Sequence, residues 1–113
     1  MISVDTNVLL RILSDDPEAL EQMRAARALA KKAGSLFVTQ IVQVETVWVL
    51  QKAYGFDKSA LLTILIEIQN HPAVRLEQPE RFAKALCDFQ SGNVEFSDCL
   101  ILAASRESRT KLA

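Results

Sequence analysis

Met1-Ile2-Ser3-Val4-Asp5-Thr6-Asn7-Val8-Leu9-Leu10 opens the chain. A very short apolar run, three polar residues and a second apolar run follow one another without a break. The pattern predicts a strand over Ile2 to Val4 that passes at once into a short helix over Val8 to Leu13, with Asp5 at the junction. In open α/β sheets, ligands gather in the crevice beyond the carboxyl ends of the strands. Asp5 would stand at the lip of such a crevice. Fold and chemistry both turn on whether the rest of the chain brings more parallel strands, and more acids, to that edge.

Working outward, Asp16-Pro17-Glu18 has the form of a helix start. Asp16 is the N-cap, Pro17 takes the first helical position, and Glu18 and Glu21 lie near the positive end of the dipole. Leu20, Met23, Ala26, Ala30 and Ala33 trace its buried stripe, and Gly34 ends it behind Lys31 and Lys32. Leu36-Phe37-Val38 is a second strand. The segment Gln40 to Ala53 carries Ile41, Val42, Val44, Val47 and Val49, which favour strands. Its uninterrupted length fits a buried helix instead, capped by Thr39 and ended by Gly55. Asp57 caps the next helix, with Phe56 and Leu61 as a hydrophobic staple. That helix runs to about Gln69, short of Pro72. Ala73 to Leu76 is a third strand. Gln78-Pro79-Glu80 starts a helix that turns Phe82, Leu86 and Phe89 inward and stops at Gly92. Ser97 is expected to cap a last helix from Asp98 to about Arg109, with Phe96 stapled to Ile101. Its front half, Cys99 to Ala104, is apolar on all sides and belongs in the middle of a structure. Strands separated by helices imply an α/β fold with a parallel sheet and right-handed crossovers.

The 113 residues suffice for one domain with a real core. No apolar run approaches the ~18 residues of a membrane span, and no charged leader precedes the first apolar residues. Both point to a cytoplasmic protein. A net charge of −1 does not announce a nucleic-acid binder, yet an acidic metal site would itself contribute negative charge, so a nuclease is not excluded. Cys87 and Cys99 lie in helical patterns without CxxC or Cys/His spacing. They are expected as small core residues, not as a disulfide or zinc ligands.

Three acids stand out: Asp5 after the first strand, Glu45 in the helix after the second, and Asp98 at the start of the last helix. Each is set in an apolar stretch, and a buried lone carboxylate must be paired, hydrogen-bonded or bound to a metal. Taken singly, Asp5 and Asp98 are also good helix caps, and Glu45 could pair with Lys52 or another base across the core. Taken together, they belong to one edge of a parallel sheet. Converging carboxylates without a base in the same motifs repel one another unless a divalent cation relieves them, and oxygen-only ligands favour Mg²⁺ or Mn²⁺ over zinc. Such a cation polarises a phosphoryl oxygen and acidifies a bound water. Metal-assisted phosphodiester hydrolysis is the reaction these residues suggest.

Three motifs, Val4-Asp5-Thr6-Asn7-Val8, Val44-Glu45-Thr46-Val47-Trp48-Val49-Leu50 and Glu95-Phe96-Ser97-Asp98-Cys99-Leu100-Ile101-Leu102-Ala103-Ala104, together resemble the PIN domain, in particular the VapC-type toxins of bacterial toxin–antitoxin pairs. The resemblance implies a three-layer α/β fold, a short parallel central sheet flanked by helices. It implies a Mg²⁺- or Mn²⁺-dependent ribonuclease, with Asp5, Asp98 and Glu45 as its metal-site carboxylates. By the same resemblance Thr6 and Asn7 shape the site and Glu95 supports it. A homodimer and an antitoxin that covers the site are implied as well. Proteins of this family continue past the last helix into a further strand bearing a fourth acid, whereas this sequence ends Arg106-Glu107-Ser108-Arg109-Thr110-Lys111-Leu112-Ala113. The expectation is therefore a single PIN-like domain over residues 1–113, incomplete at its C-terminus, with the last strand lacking and activity reduced.

Arg24, Arg27 and Lys31 form one stripe on the second helix, and with Arg11, Arg106 and Arg109 are candidates for phosphate contacts. A solvated helix face explains them equally well. His71 is expected to be an ordinary loop residue, and Trp48 a core residue in preference to a base-stacking platform. Two rival functions remain. A phosphatase forming an aspartyl-phosphate would want an aspartate where Asn7 stands. A non-catalytic PIN-like module that binds RNA or a protein partner is the more serious alternative.

Overall fold

Three short strands pair in parallel in the order β1-β2-β3. They are β1 (Ile2–Ser3), β2 (Leu36–Val38) and β3 (Val74–Leu76). Ile2 aligns with Leu36, and Leu36 in turn with Val74. The computed structural model describes residues 1–13 and 20–112, with side chains as far as Glu107. The expected helix start at Asp16-Pro17-Glu18 and the side chain of Arg109 lie outside the described residues.

Helices fill the connections that parallel pairing requires. Between β1 and β2 run α1 (Thr6–Leu13) and α2 (Leu20–Ala33), and between β2 and β3 run α3 (Gln40–Lys52) and α4 (Lys58–Asn70). After β3 come α5 (Pro79–Ser91) and α6 (Phe96–Leu112). The fold is α/β, a short parallel sheet flanked by helices, as expected. Among the described residues no helix is long and apolar enough to cross a membrane.

Local chemistry sets the boundaries. Asp57 accepts the Ala60 N–H at 2.9 Å and Thr39 the Val42 N–H at 3.3 Å, so both act as the N-caps their positions promised. Gln78 stands before α5 with φ 54°, a left-handed conformation unusual for a residue with a side chain, and gives α5 no side-chain cap. The last helix begins at Phe96, not after Ser97: the Cys99 N–H donates to the Glu95 carbonyl at 3.0 Å, which closes the first turn earlier.

Two hydrophobic clusters hold the layers together. One gathers Val4, Leu9, Ile12, Ala26, Ala30, Leu36, Val38 and Val74 around the strands, α1 and α2. The other joins α3 to α6 and centres on Phe96, fully buried and edge-on to Phe82 (5.3 Å between centroids) and Phe89 (5.9 Å). The expected Phe96–Ile101 staple does not form, because Ile101 is 61% exposed. Only Cys99, Leu100 and Ala103 of the apolar front half of α6 are buried; Leu102 is also exposed. That segment forms one wall of the core and does not lie at its centre.

Specific polar ties link the elements. The buried Gln43 amide donates to the carbonyls of Val38 (3.2 Å) and Glu77 (3.0 Å), and the Glu77 carboxylate accepts the Gln40 N–H at 2.8 Å. These bonds pin the start of α3 to the ends of β2 and β3. Arg81 of α5 reaches Glu107 of α6 through an ion pair and Gln40 of α3 through a 2.8 Å hydrogen bond.

Candidate active site

The site is built where β1 gives way to α1. The Asp5 carboxylate accepts the Val8 N–H at 2.8 Å through Oδ1, while its carbonyl accepts the Leu9 N–H at 3.1 Å. Asp5 is therefore the N-cap of α1, and the helix starts at Thr6, two residues before the apolar run suggested. The capping geometry leaves the second carboxylate oxygen, Oδ2, without a protein partner among the described residues.

Thr6 is buried and turned toward α3, where its hydroxyl donates to Oε2 of Glu45 at 2.9 Å. This one bond joins the first motif to the second across the structure. Asn7 follows, exposed. Asp5, Thr6, Asn7, Glu45, Trp48 and Val49 line one open depression of about 380 Å³.

The helical face that carries Glu45 follows from the burial pattern of α3. Val42, Gln43, Thr46, Val47 and Leu50 turn inward. Ile41, Glu45, Trp48 and Lys52 turn outward, spaced by four, three and four residues along one stripe. Two expectations are corrected here. Glu45 is exposed: the apolar residues around it in sequence do not bury it, and its partner is Thr6 and not Lys52. Trp48 is 61% exposed on the rim of the depression and is no part of the core.

Asp98 and Glu95 are placed differently. Asp98 is exposed in the first turn of α6, and Glu95 is exposed just before it; neither lines the depression. Among the described residues no group of three His, Cys, Asp or Glu side chains is close enough to hold a metal ion. The structure thus brings together Asp5, Thr6, Asn7 and Glu45 and leaves Asp98 and Glu95 outside that group. A Mg²⁺ ion is commonly held by one or two carboxylates and completes its shell with water. Asp5 and Glu45 fit that requirement: both are oxygen donors, both border the same open space, and each keeps one oxygen without a partner among the described residues.

Residues 2–113 match the PIN domain family. The chain belongs to the PIN-domain family. Within it, the chain is similar to a VapC ribonuclease of Aquifex aeolicus (strain VF5), with 28% identity over 98 residues, covering 86% of this chain and 73% of the relative. The VapC-type PIN resemblance carried by the three sequence motifs therefore holds over nearly the whole chain.

The remaining sequence candidates lie elsewhere in this PIN domain. Arg27, Lys31 and His71 line a second depression of about 460 Å³ with Ile12, Ala30, Gly34 and Ala73. Gly34 and Ala73 precede β2 and β3, so this depression is at the opposite end of the sheet from Asp5. His71 has a defined local role: its Nδ1 accepts the Ala73 N–H at 3.1 Å. Cys87 is exposed and Cys99 buried, both as free thiols, so only Cys99 is the core residue expected. Burial pushes the Cys99 thiol up from its ordinary value, and the Asp88 and Asp98 carboxylates act in the same direction. Sequence reasoning missed the buried pair Gln43 and Thr46; a polar residue every third position amid valines was the available signal.

Proposed function

We propose that this PIN domain is an endoribonuclease that hydrolyses RNA phosphodiester bonds with Mg²⁺ or Mn²⁺, as the toxin of a toxin–antitoxin pair. The observation that carries this reading is the Thr6–Glu45 hydrogen bond, which draws the acids of two separate motifs to one open depression. Asp5 and Glu45 would hold the cation. When bound, it supplies Lewis-acid polarisation of the phosphoryl group and a more acidic water. The other roles belong to the chain itself. Thr6 fixes the orientation of Glu45, α1 fixes that of Asp5, and Asn7 offers an amide to the phosphate or sugar. Asp98 is proposed as a third site carboxylate on the strength of its motif, with Glu95 in support. The similarity to a VapC ribonuclease supports the RNA substrate and a cognate antitoxin protein; a homodimer and a cytoplasmic setting belong to the same proposal.

The test is cleavage of a single-stranded RNA with Mg²⁺ or Mn²⁺. Cutting that is abolished by EDTA and by Asp5→Asn is expected; wild-type and variant proteins behaving alike would sink the proposal. Asp98→Asn, assayed in parallel, tests that residue separately. Growth arrest on expression, relieved by the neighbouring gene's product, tests the toxin role, and solution mass tests the dimer. A second reading, a PIN module that binds RNA or a protein without cutting, is favoured by the absence of a third acid from the Asp5–Glu45 group among the described residues. Binding without metal-dependent cleavage would select it.

A further inference from the structure

Trp48 is a large apolar side chain left 61% exposed beside two carboxylates. An indole on a helix of this kind would ordinarily turn inward, where burial of such a side chain is strongly favourable. Here the inner face of α3 is already filled by Val42, Gln43, Thr46, Val47 and Leu50. Trp48 instead lies one turn beyond Glu45 on the same face, since residues three apart are neighbours on a helix.

We propose that Trp48 is a stacking platform for an unpaired RNA base, placed so that the phosphate next to that base is the one held at Asp5 and Glu45. The proposal rests on the nuclease reading above and deepens it by assigning a base-binding residue to the same site. Three observations favour this occupant over a protein surface. The indole lines the same depression as Asp5, Asn7 and Glu45, so anything on it adjoins the acids. Its nearest exposed apolar neighbour along the stripe, Ile41, is separated from it by the Glu45 carboxylate, so the stripe itself is not a continuous apolar surface. Lys52, exposed one turn further on, supplies a cation for the next phosphate. A protein laid over this stripe would have to desolvate Glu45 and Lys52. A nucleotide brings its own phosphate to them and a flat π-face to the indole. A base can stack in this way only when it is unpaired, and stacking of this kind tolerates any base.

Trp48 is the single tryptophan of the chain, so its fluorescence reports on this position alone. The Asp5→Asn protein, which leaves the strand intact, is titrated with a single-stranded oligoribonucleotide and with an abasic strand of equal length and charge. Saturable quenching by the base-bearing strand is expected, with the abasic strand binding about 5- to 150-fold more weakly. In the otherwise unchanged protein, Trp48→Ala should raise KM for single-stranded RNA by a similar factor while kcat moves little, and Trp48→Phe should restore most of the loss. Equal binding of the two strands, or an unchanged KM in Trp48→Ala, would overturn the proposal. So would an indole signal that follows protein concentration without RNA, which would put a second copy of the chain there. The two readings fail separately. Cutting without quenching removes the platform and keeps the nuclease, whereas quenching without cutting keeps the platform and removes the nuclease. The absence of both quenching and cutting overturns both.

Discussion

The hydroxyl of Thr6 and the carboxylate of Glu45, 39 positions apart in sequence, meet in a 2.9 Å hydrogen bond at the back of the acidic depression. Thr6 is buried and Glu45 exposed, so the bond anchors a mobile kind of side chain to a fixed one. Groups that orient a ligating carboxylate typically matter 10- to 100-fold for metal affinity or activity. Thr6→Val keeps the shape and removes the donor. It should raise the Mn²⁺ concentration needed for half-maximal cleavage by about that factor, with a stability change of only about 1 kcal/mol. Thr6→Ser should restore the metal dependence, and a variant with unaltered Mn²⁺ titration would deny Thr6 this role.

Asp5 caps α1 through Oδ1 and also lines the depression, so its cap and its proposed metal role can be separated. Asn is as good an N-cap as Asp, whereas Ala lacks the acceptor. Both Asp5→Asn and Asp5→Ala are expected to abolish cleavage. Only Asp5→Ala should also lower stability, by about 1 kcal/mol. Urea denaturation of the two variants measures this, and equal midpoints would show that the cap contributes nothing.

Phe96 is fully buried between Phe82 and Phe89 and ties α6 to α5. Truncation to Ala should cost about 3–5 kcal/mol, a large share of the stability of a domain this size. Phe96→Leu, which keeps much of the volume, should cost far less. Equilibrium unfolding of the pair distinguishes packing from any direct effect on the nearby Asp98.

The two cysteines should be separable by labelling. Cys87 is exposed and should react promptly with a thiol reagent in the native protein; Cys99 should react only on unfolding. The raised Cys99 value also has a sign. The unfolded chain loses this proton near its ordinary pKa of 9.0, whereas the folded chain keeps it to higher pH. Stability should therefore fall as pH rises through and above 9, and the fall should shrink in Cys99→Ala. A pH-independent difference between the two proteins over that range would contradict it.

How far the sequence could be read depended on what kind of information each feature needs. Thr39, Asp57 and Gly34 act within a few residues of themselves, so their caps and stops are legible from local pattern. Glu45 and Trp48 were misjudged because composition around them is apolar on every side. Which face of α3 turns inward is decided by what packs there, and Gln43 and Thr46, which donate to the Val38, Glu77 and Val42 carbonyls, occupy the inner face in place of a larger apolar residue. Ile101 was misplaced for the same reason. Motif order was enough to associate Asp5 with Glu45, but not to say that Thr6 is the residue that connects them.

β1 consists of two residues paired to a single neighbour, yet it delivers both Asp5 and Thr6. Local opening free energies within one domain range from near zero up to the global value, and elements with few pairing bonds lie at the low end. The end of the fold that carries the proposed site residues Asp5 and Thr6 is therefore expected to open at β1 before α3 to α6 unfold. Amides of Ile2 and Val4 should exchange with solvent well before those of Leu65 or Phe96, and inactivation by mild denaturant should precede loss of helical signal. Any ligand bridging Asp5 and Glu45 would act as a clasp on that strand, so slower exchange at Val4 would register occupancy of the site without any need to observe turnover.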